Sequence, residues 1–83
     1  MKLETAIRLD PENVDYWFRL GVAREGNNNH KRALAAYERA AAIKDDVWQY
    51  WYHIGNHRMF AGNFPGALEA LDKAIDLHQD FDY

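Results

Sequence analysis

The chain has 83 residues, no cysteine, a formal net charge of −3 and 48% hydrophobic residues, the dimensions of one small domain. A chain without cysteine has no disulfide, thiolate zinc site or thiol nucleophile, and the redox compartment stays open. Thirteen acidic residues outnumber ten basic ones, which argues against nucleic acid as the main partner. No apolar run approaches the roughly 18–20 residues of a membrane span. Glu4 interrupts the start, where a signal peptide would be apolar, and the compartment is left unassigned, with the cytoplasm favoured.

Apolar spacing along the chain predicts a succession of helices. The first of them has a stripe of residues three and four apart: Trp17, Leu20, Gly21 and Arg24. The helix after it has a stripe of its own: Ala33, Tyr37, Ala40 and Ile43. Between these two helices lie the asparagines 27–29, and asparagine both tolerates a positive φ and caps helices well. Such a short connection predicts an antiparallel hairpin.

The rest of the chain repeats this pattern. Equivalent positions are separated by the same number of residues as Trp17 and Trp51, and we call this offset the repeat period. Ten positions are identical between the two copies, among them Gly21/Gly55, Arg24/Arg58, Asn29/Asn63, Ala33/Ala67 and Ala40/Ala74. In the second copy Gly62 takes the place of Asn28, and Asn63 is expected to cap the last helix. Pro65 lies just inside that helix, where a missing N–H costs nothing. The chain therefore predicts two successive hairpins of the same design.

Small residues at fixed positions predict where the helix backbones approach each other. Glycine in a helix interior costs about 1 kcal/mol relative to alanine, so one that recurs indicates a close contact. The residues expected to hold the hairpins together are Trp17, Leu20, Gly21, Ala33, Tyr37 and Ala40 in the first copy, and Trp51, Ile54, Gly55, Ala67, Leu71 and Ala74 in the second.

The two copies resemble the tetratricopeptide repeat, which has the same period, about 34 residues, and the pattern W-x2-L-G followed by A-x3-F. The matching segments are Trp17-x2-Leu20-Gly21 with Ala33-x3-Tyr37, and Trp51-x2-Ile54-Gly55 with Ala67-x3-Leu71. The resemblance implies an all-α fold, a right-handed α-solenoid of antiparallel helix-turn-helix repeats with about five helices. One domain is expected over 1–83: the second helix of a truncated repeat at 1–13, full repeats at 14–47 and 48–81, and the start of another at 82–83. Arginine stands at 24 and 58, where the family commonly has an aromatic residue.

The chain has few of the residues that catalytic sites use, so neither an enzyme activity nor a cofactor is expected. The glycines are scattered singly, there is no serine, and Thr5 is the only threonine. One metal-like spacing exists, His53-x3-His57, but it lacks the glutamate of H-E-x-x-H, and no third ligand is evident. We therefore favour structural roles for both histidines, with His57 at an inter-helix position, and expect no metal.

Arg24 and Arg58 share the helix stripe of the two tryptophans, where a fully buried guanidinium would need an acidic or carbonyl partner. Two interpretations stay open. The favoured one is half-burial, with the guanidinium stacked on an aromatic ring or paired with an acid of the following helix. The other is an arginine that faces a ligand.

The candidate binding surface is the face of each repeat's first helix that lies roughly 100° from the tryptophan. In the family that the chain resembles, this face lines the concave groove of the solenoid, where extended peptides or partner helices dock. The candidate groove residues are Asp15, Phe18, Arg19, Val22, Gln49, Tyr52, His53, Asn56, Met59 and Phe60. The implied function is a non-enzymatic scaffold for a protein or peptide partner, with Arg19 as the anchor for an acidic group. Alternatively, Phe18, Tyr52 and Phe60 fill the junction between adjacent repeats.

A second function follows from the phase of the repeats. The chain begins inside the second helix of one repeat and ends as another would start, whereas solenoids finish with polar capping elements. We therefore expect a piece of a longer repeat array or of a larger protein. The alternative function is an assembly or positioning module, which self-associates through uncapped ends or serves as an accessory domain of a larger protein, catalytic or not.

Overall fold

A computed structural model describes residues 2–78 of the chain. Within that range there are five helices and no strand: α1 (Leu3–Leu9), α2 (Val14–Gly26), α3 (His30–Ile43), α4 (Trp48–Phe60) and α5 (Phe64–Leu77). The predictions of an all-α fold and of about five helices are confirmed. The predicted close of the second full repeat, at residues 79–81, and the predicted start of another at 82–83 lie outside the described residues.

Asparagine and glycine shape the two hairpin turns as the sequence predicts. Asn28, with φ 60°, and Gly62, with φ 86°, are the described residues that adopt a positive φ, and they are one repeat period apart. Directly after them, the side chain of Asn29 accepts from the backbone N–H of Arg32, and Asn63 accepts in the same way from Gly66. Each turn thus stops one helix with a left-handed residue and starts the next with a side-chain cap.

The helices pack in chain order, each against the next, so that the described chain is an elongated stack of 40 × 25 × 19 Å. The middle helix of the stack is α3, which packs against both α2 and α4. The buried cluster around it consists mainly of alanines together with the fully buried Tyr37 and Ile54. No helix of the described part is long and apolar enough to cross a membrane.

Two glycines set the distance between the helices of each hairpin. A Cβ atom on Gly21 would lie 2.6 Å from the Tyr37 ring, and one on Gly55 would lie 2.6 Å from Leu71 Cγ. Such separations are far below van der Waals contact, so any side chain at these positions would push the helices apart. The predicted close contacts at Gly21 and Gly55 are therefore confirmed.

Trp17 and Trp51 each bind the segment that precedes their helix, and the two contacts are equivalent. The indole N–H of Trp17 donates to the carbonyl of Pro11 at 2.7 Å, and that of Trp51 donates to the carbonyl of Asp45 at 2.9 Å. Arg39 lies over the Trp17 ring at 5.7 Å from its centroid. A lysine of α5 lies over the Trp51 ring at 4.6 Å. Both indoles are half-buried, which fits a residue that packs with its ring and bonds with its N–H.

Gly21→Ala should destabilise the fold although alanine is the better helix former. The Cβ atom would meet the fully buried Tyr37 ring, and overpacking of this kind costs about 1–3 kcal/mol, more than the roughly 1 kcal/mol of helix propensity gained. Urea unfolding followed by circular dichroism measures the difference. The matched control is Gly26→Ala, where a Cβ meets nothing within 4 Å and stability should be kept or slightly raised. Equal behaviour of the two variants would contradict the proposed contact.

Candidate functional site

Helices α2 and α4 meet through Phe18, Glu25 and His53, and we call the exposed sides of these two helices the first-helix face. Eight of the ten predicted groove residues are exposed there: Asp15, Arg19, Val22, Gln49, Tyr52, Asn56, Met59 and Phe60. The other two, Phe18 and His53, are half-buried. On α4 the residues 52, 56, 59 and 60 follow helical spacing, so their side chains form one stripe.

Large apolar side chains remain uncovered on the first-helix face. The exposed fractions are 45% for Val22, 44% for Tyr52, 47% for Met59 and 71% for Phe60. Single exposed apolar residues are ordinary on protein surfaces, but Tyr52, Met59 and Phe60 share one stripe of α4 and form an apolar patch. The polar residues Asp15, Arg19, Gln49 and Asn56 are exposed as well, and Asp15 and Arg19 line a surface hollow with Leu3 and Ala6 of α1.

Phe18 packs at the junction between the two hairpins. Its ring centroid lies 5.6 Å from Tyr37, 5.3 Å from Tyr50 and 5.6 Å from His53, all in tilted or edge-on arrangements. Aromatic pairs at these distances stabilise beyond the area they bury. Phe18 therefore links α2, α3 and α4, while its equivalent Tyr52, one repeat period later, stays exposed.

A cluster of ionisable side chains lies beside this junction, centred on Glu25 of α2. The Glu25 Oε1 atom accepts from His57 Nε2 at 2.6 Å and from the Tyr37 hydroxyl at 3.4 Å, and it lies 3.6 Å from His53 Nδ1. The Tyr37 ring stacks on His53 with centroids 4.6 Å apart and on His57 with centroids 5.6 Å apart. The carboxylate, the two imidazoles and the phenol thus form one packed group, which we call the Glu25 cluster.

His30, the first residue of α3, contacts the Glu25 cluster through His57. Its Nδ1 atom lies 3.3 Å from His57 Nδ1, and its ring packs on Phe60 with centroids 4.1 Å apart. Because an ionised carboxylate only accepts, the His57 Nε2 atom that faces Glu25 carries a proton. In a neutral His57 ring the Nδ1 atom is then the acceptor, and His30 donates to it.

The environment shifts the pKa values of the cluster in directions that follow from burial and charge. Burial raises the pKa of Glu25, but the hydrogen bond from His57 and the charges of His53 and His57 outweigh it and leave that pKa below its ordinary value. Burial lowers the pKa of His53, and the attraction of Glu25 offsets this only in part. Burial and the Glu25 carboxylate both raise the pKa of Tyr37. At neutral pH the cluster therefore contains an ionised Glu25, a neutral His53 and a neutral Tyr37.

Neither Glu25 nor His30 is among the site residues that the sequence pattern predicts. The signal for Glu25 was nevertheless present, because Glu25 precedes Met59 by one repeat period and Met59 is a predicted groove residue. His30 corresponds in the same way to Phe64, outside the predicted groove. Its contact with His57 depends on how α3 packs against α4, which no spacing within one helix predicts.

The two repeat-related arginines make equivalent ion pairs. Arg24 pairs with Glu4 of α1 at 3.2 Å, and Arg58 pairs with Glu38 of α3 at 3.1 Å. Both guanidinium side chains are half-buried, as the favoured interpretation expected. The predicted partner was wrong in one respect, since each acid belongs to the preceding helix. On the following helix, Arg58 meets the backbone carbonyl of Gly66 at 3.1 Å in place of an acid.

Consecutive helical hairpins, whose glycine contacts, tryptophan contacts and ion pairs recur once per repeat period, define the class of helical-repeat solenoid proteins. A sequence profile of the tetratricopeptide repeat matches residues 2–47, more than half of the chain. The chain belongs to the tetratricopeptide repeat family. No curated protein sequence matches it.

Solved structures of MamA share this architecture. A crystal structure of MamA is 26% identical to the chain, with a TM-score of 0.88 over 93% of this chain and 45% of that one. The double mutant of MamA RS-1 is 23% identical, with a TM-score of 0.88 over 96% of this chain and 46% of that one. MamA MSR-1 C2 is 23% identical, with a TM-score of 0.84 over 93% and 44%. The α-solenoid prediction is confirmed, and the chain spans less than half the length of these structures.

Arg58→Met should lower the free energy of unfolding by about 1–2 kcal/mol, because it removes both the Glu38 ion pair and the additional hydrogen bond to the Gly66 carbonyl. Thermal unfolding followed by circular dichroism measures the loss. Arg19→Met is the matched control, since Arg19 is exposed and has no ion pair among residues 2–78, and its change should stay within about 0.5 kcal/mol. An equally large loss of stability in Arg19→Met would show that replacing an arginine by methionine is destabilising in itself, and that the Arg58 contacts are not the cause.

Proposed function

We propose that the chain is a non-enzymatic interaction scaffold that binds a peptide or a partner helix along the first-helix face. The observation that carries this proposal is the row of uncovered apolar side chains there, from Val22 on α2 to Phe60 on α4. Proteins of this fold are typically non-enzymatic scaffolds, which supports a binding role over catalysis. In this proposal the chain is a single domain that consists of a truncated repeat at 1–13, full repeats at 14–47 and 48–81, and the start of another at 82–83.

The chemistry of the face indicates the kind of segment that would bind. Tyr52 and Met59 offer an aromatic and a flexible thioether surface, which suits apolar side chains of varied shape. Arg19 of α2 and Asn56 of α4 are exposed and would pair with an acidic group and with backbone amides. The proposed ligand is therefore an extended or helical segment with apolar anchors and an acidic residue near Arg19.

Peptides selected from a displayed random library against the wild-type chain provide the probe for this face. A selected peptide should bind the double variant Arg19→Glu, Tyr52→Ala at least about tenfold more weakly, because both an anchor contact and a charge pair are lost. Fluorescence polarisation gives the two dissociation constants. The matched control is Arg32→Glu with Leu68→Ala, which makes the same kinds of change on α3 and α5 and should leave binding unchanged. Equal affinity for the wild type and the first variant would place the binding surface elsewhere.

A specific observation also favours the second candidate function, an assembly or positioning module. The outer side of α5 exposes Phe64, Leu68 and Ile75 by 65%, 62% and 43%. One repeat period earlier, Ile75 corresponds to Ala41 of α3, which is buried in the cluster that α4 covers. This side of α5 thus has the composition of a surface that receives another helix, either from a further repeat or from a second copy of the chain.

If self-association uses this surface, the mass of the wild-type chain from multi-angle light scattering should rise with concentration towards that of a dimer. Leu68→Asp with Ile75→Asp should keep the chain monomeric, because two charges would be buried in the interface. Val22→Asp with Tyr52→Asp, on the first-helix face, is the control and should still dimerise. A wild type that stays monomeric at every concentration would count against self-association, and a dimer through α5 would weaken the peptide-binding proposal.

A further inference from the structure

The Glu25 cluster brings together three side chains of the types that bind metal ions. One potential ligand atom from each of Glu25, His53 and His57 lies within 4.8 Å of the other two. The two histidines are one helical turn apart on α4, and Glu25 joins them from α2. The sequence offered only the histidine pair, and the packing of α2 beside α4 adds the third donor. From this geometry we infer that Glu25, His53 and His57 form a site for a divalent transition-metal ion of the zinc type.

The separations of the donor atoms are close to those that a bound zinc ion needs. Zinc binds nitrogen and oxygen ligands at about 2.0–2.2 Å in tetrahedral geometry, so neighbouring ligand atoms are about 3.3 Å apart. The Glu25 oxygen lies 2.6 Å from His57 Nε2 and 3.6 Å from His53 Nδ1, one below and one above that value. The side chains of Glu25 and His53 are 37% and 26% exposed, so both have room to rotate towards the separation that zinc needs.

The donor set selects the kind of metal. Two imidazole nitrogens and one carboxylate oxygen suit zinc, nickel, copper and cobalt, whereas calcium and magnesium prefer a shell made entirely of oxygen atoms. The chain has no cysteine, so no thiolate competes for the ion. Of its four histidines, two are the proposed ligands, and His30 lies beside them.

His30 and Tyr37 supply the outer contacts that orient metal ligands. A histidine that binds metal through Nε2 carries its proton on Nδ1, and that N–H needs an acceptor. His30 Nδ1 lies 3.3 Å from His57 Nδ1 and fills this role once the two rings exchange tautomers. The Tyr37 hydroxyl donates to Glu25 Oε1 at 3.4 Å, and its ring stacks on both imidazoles. Tyr37 is fully buried, so it supports the three ligands from the interior of the protein.

Three protein ligands leave a fourth coordination position for water. Glu25 and His53 are partly exposed while His57 is buried, so this position faces solvent at the first-helix face. The site goes beyond the proposed peptide binding and does not depend on it, because the ligands all belong to this chain.

The experiment titrates the tag-free chain, freed of metal with a chelator, with zinc chloride in an isothermal calorimeter. The wild type should bind one zinc ion per chain and should bind no magnesium. Loss of an outer contact typically weakens metal binding 10–100-fold, so loss of a direct ligand in His53→Ala or Glu25→Gln should weaken it by at least about 100-fold. Glu25→Gln is the gentler variant, because glutamine can still accept from His57. Circular dichroism confirms that both variants fold.

The matched control is His78→Ala, which removes the histidine that stacks on Trp48 at the start of α4, away from the cluster. It should bind zinc as the wild type does. Cobalt provides a second measurement, since the visible absorption of a tetrahedral cobalt complex should appear with the wild type and the control and be lost in His53→Ala. A wild type that binds no zinc, or a His53→Ala variant that binds zinc as tightly as the wild type, would overturn the proposal and leave the cluster as a hydrogen-bond network.

Discussion

The close approach of two backbones inside each hairpin is the constraint on which the rest of this structure depends. A single Cβ atom at Gly21 or Gly55 would lie 2.6 Å from the side chain of the opposite helix, so only glycine permits the observed distance. Domains of this size bury a smaller fraction of their surface than larger domains do, and this chain has no cysteine for a disulfide. Its cohesion comes from many short contacts between neighbouring helices, and those contacts require the helices to be close.

Tyr37 connects this constraint to the candidate site. One side of its fully buried ring lies against the glycine of α2, and the ring also stacks on the two imidazoles of α4. Its hydroxyl reaches Glu25. The residue that fills the space inside the first hairpin therefore also fixes the position of α4 and its histidines relative to the carboxylate of α2. The same side chain, Tyr37, thus determines both how the helices pack and how the ionisable groups are arranged.

The site arises where the two repeats differ. The glycines, the tryptophans with their carbonyl acceptors and the arginine–glutamate pairs all recur after one repeat period, and they account for the framework. Glu25 corresponds to Met59, His57 to Ala23 and His53 to Arg19, so the cluster has no counterpart elsewhere in the described chain. Framework positions are under the same geometric demand in each repeat, whereas positions on the first-helix face are free to diverge. This divergence gives one junction a distinct chemistry.

The sequence by itself determined the helices, their period, their caps and their glycine contacts, because each of these depends on residues a few positions apart or on a recurring offset. Asn28 and Gly62 specify the turns locally through their backbone preference, and an asparagine directly after each caps the helix that follows. Only the tertiary structure decided that Glu25 meets His53 and His57, and that the arginines pair with the preceding helix. These contacts join helices whose relative rotation and translation are set by packing across the whole stack. Helical spacing gives the face on which a side chain lies, but not the side chain it meets on another helix.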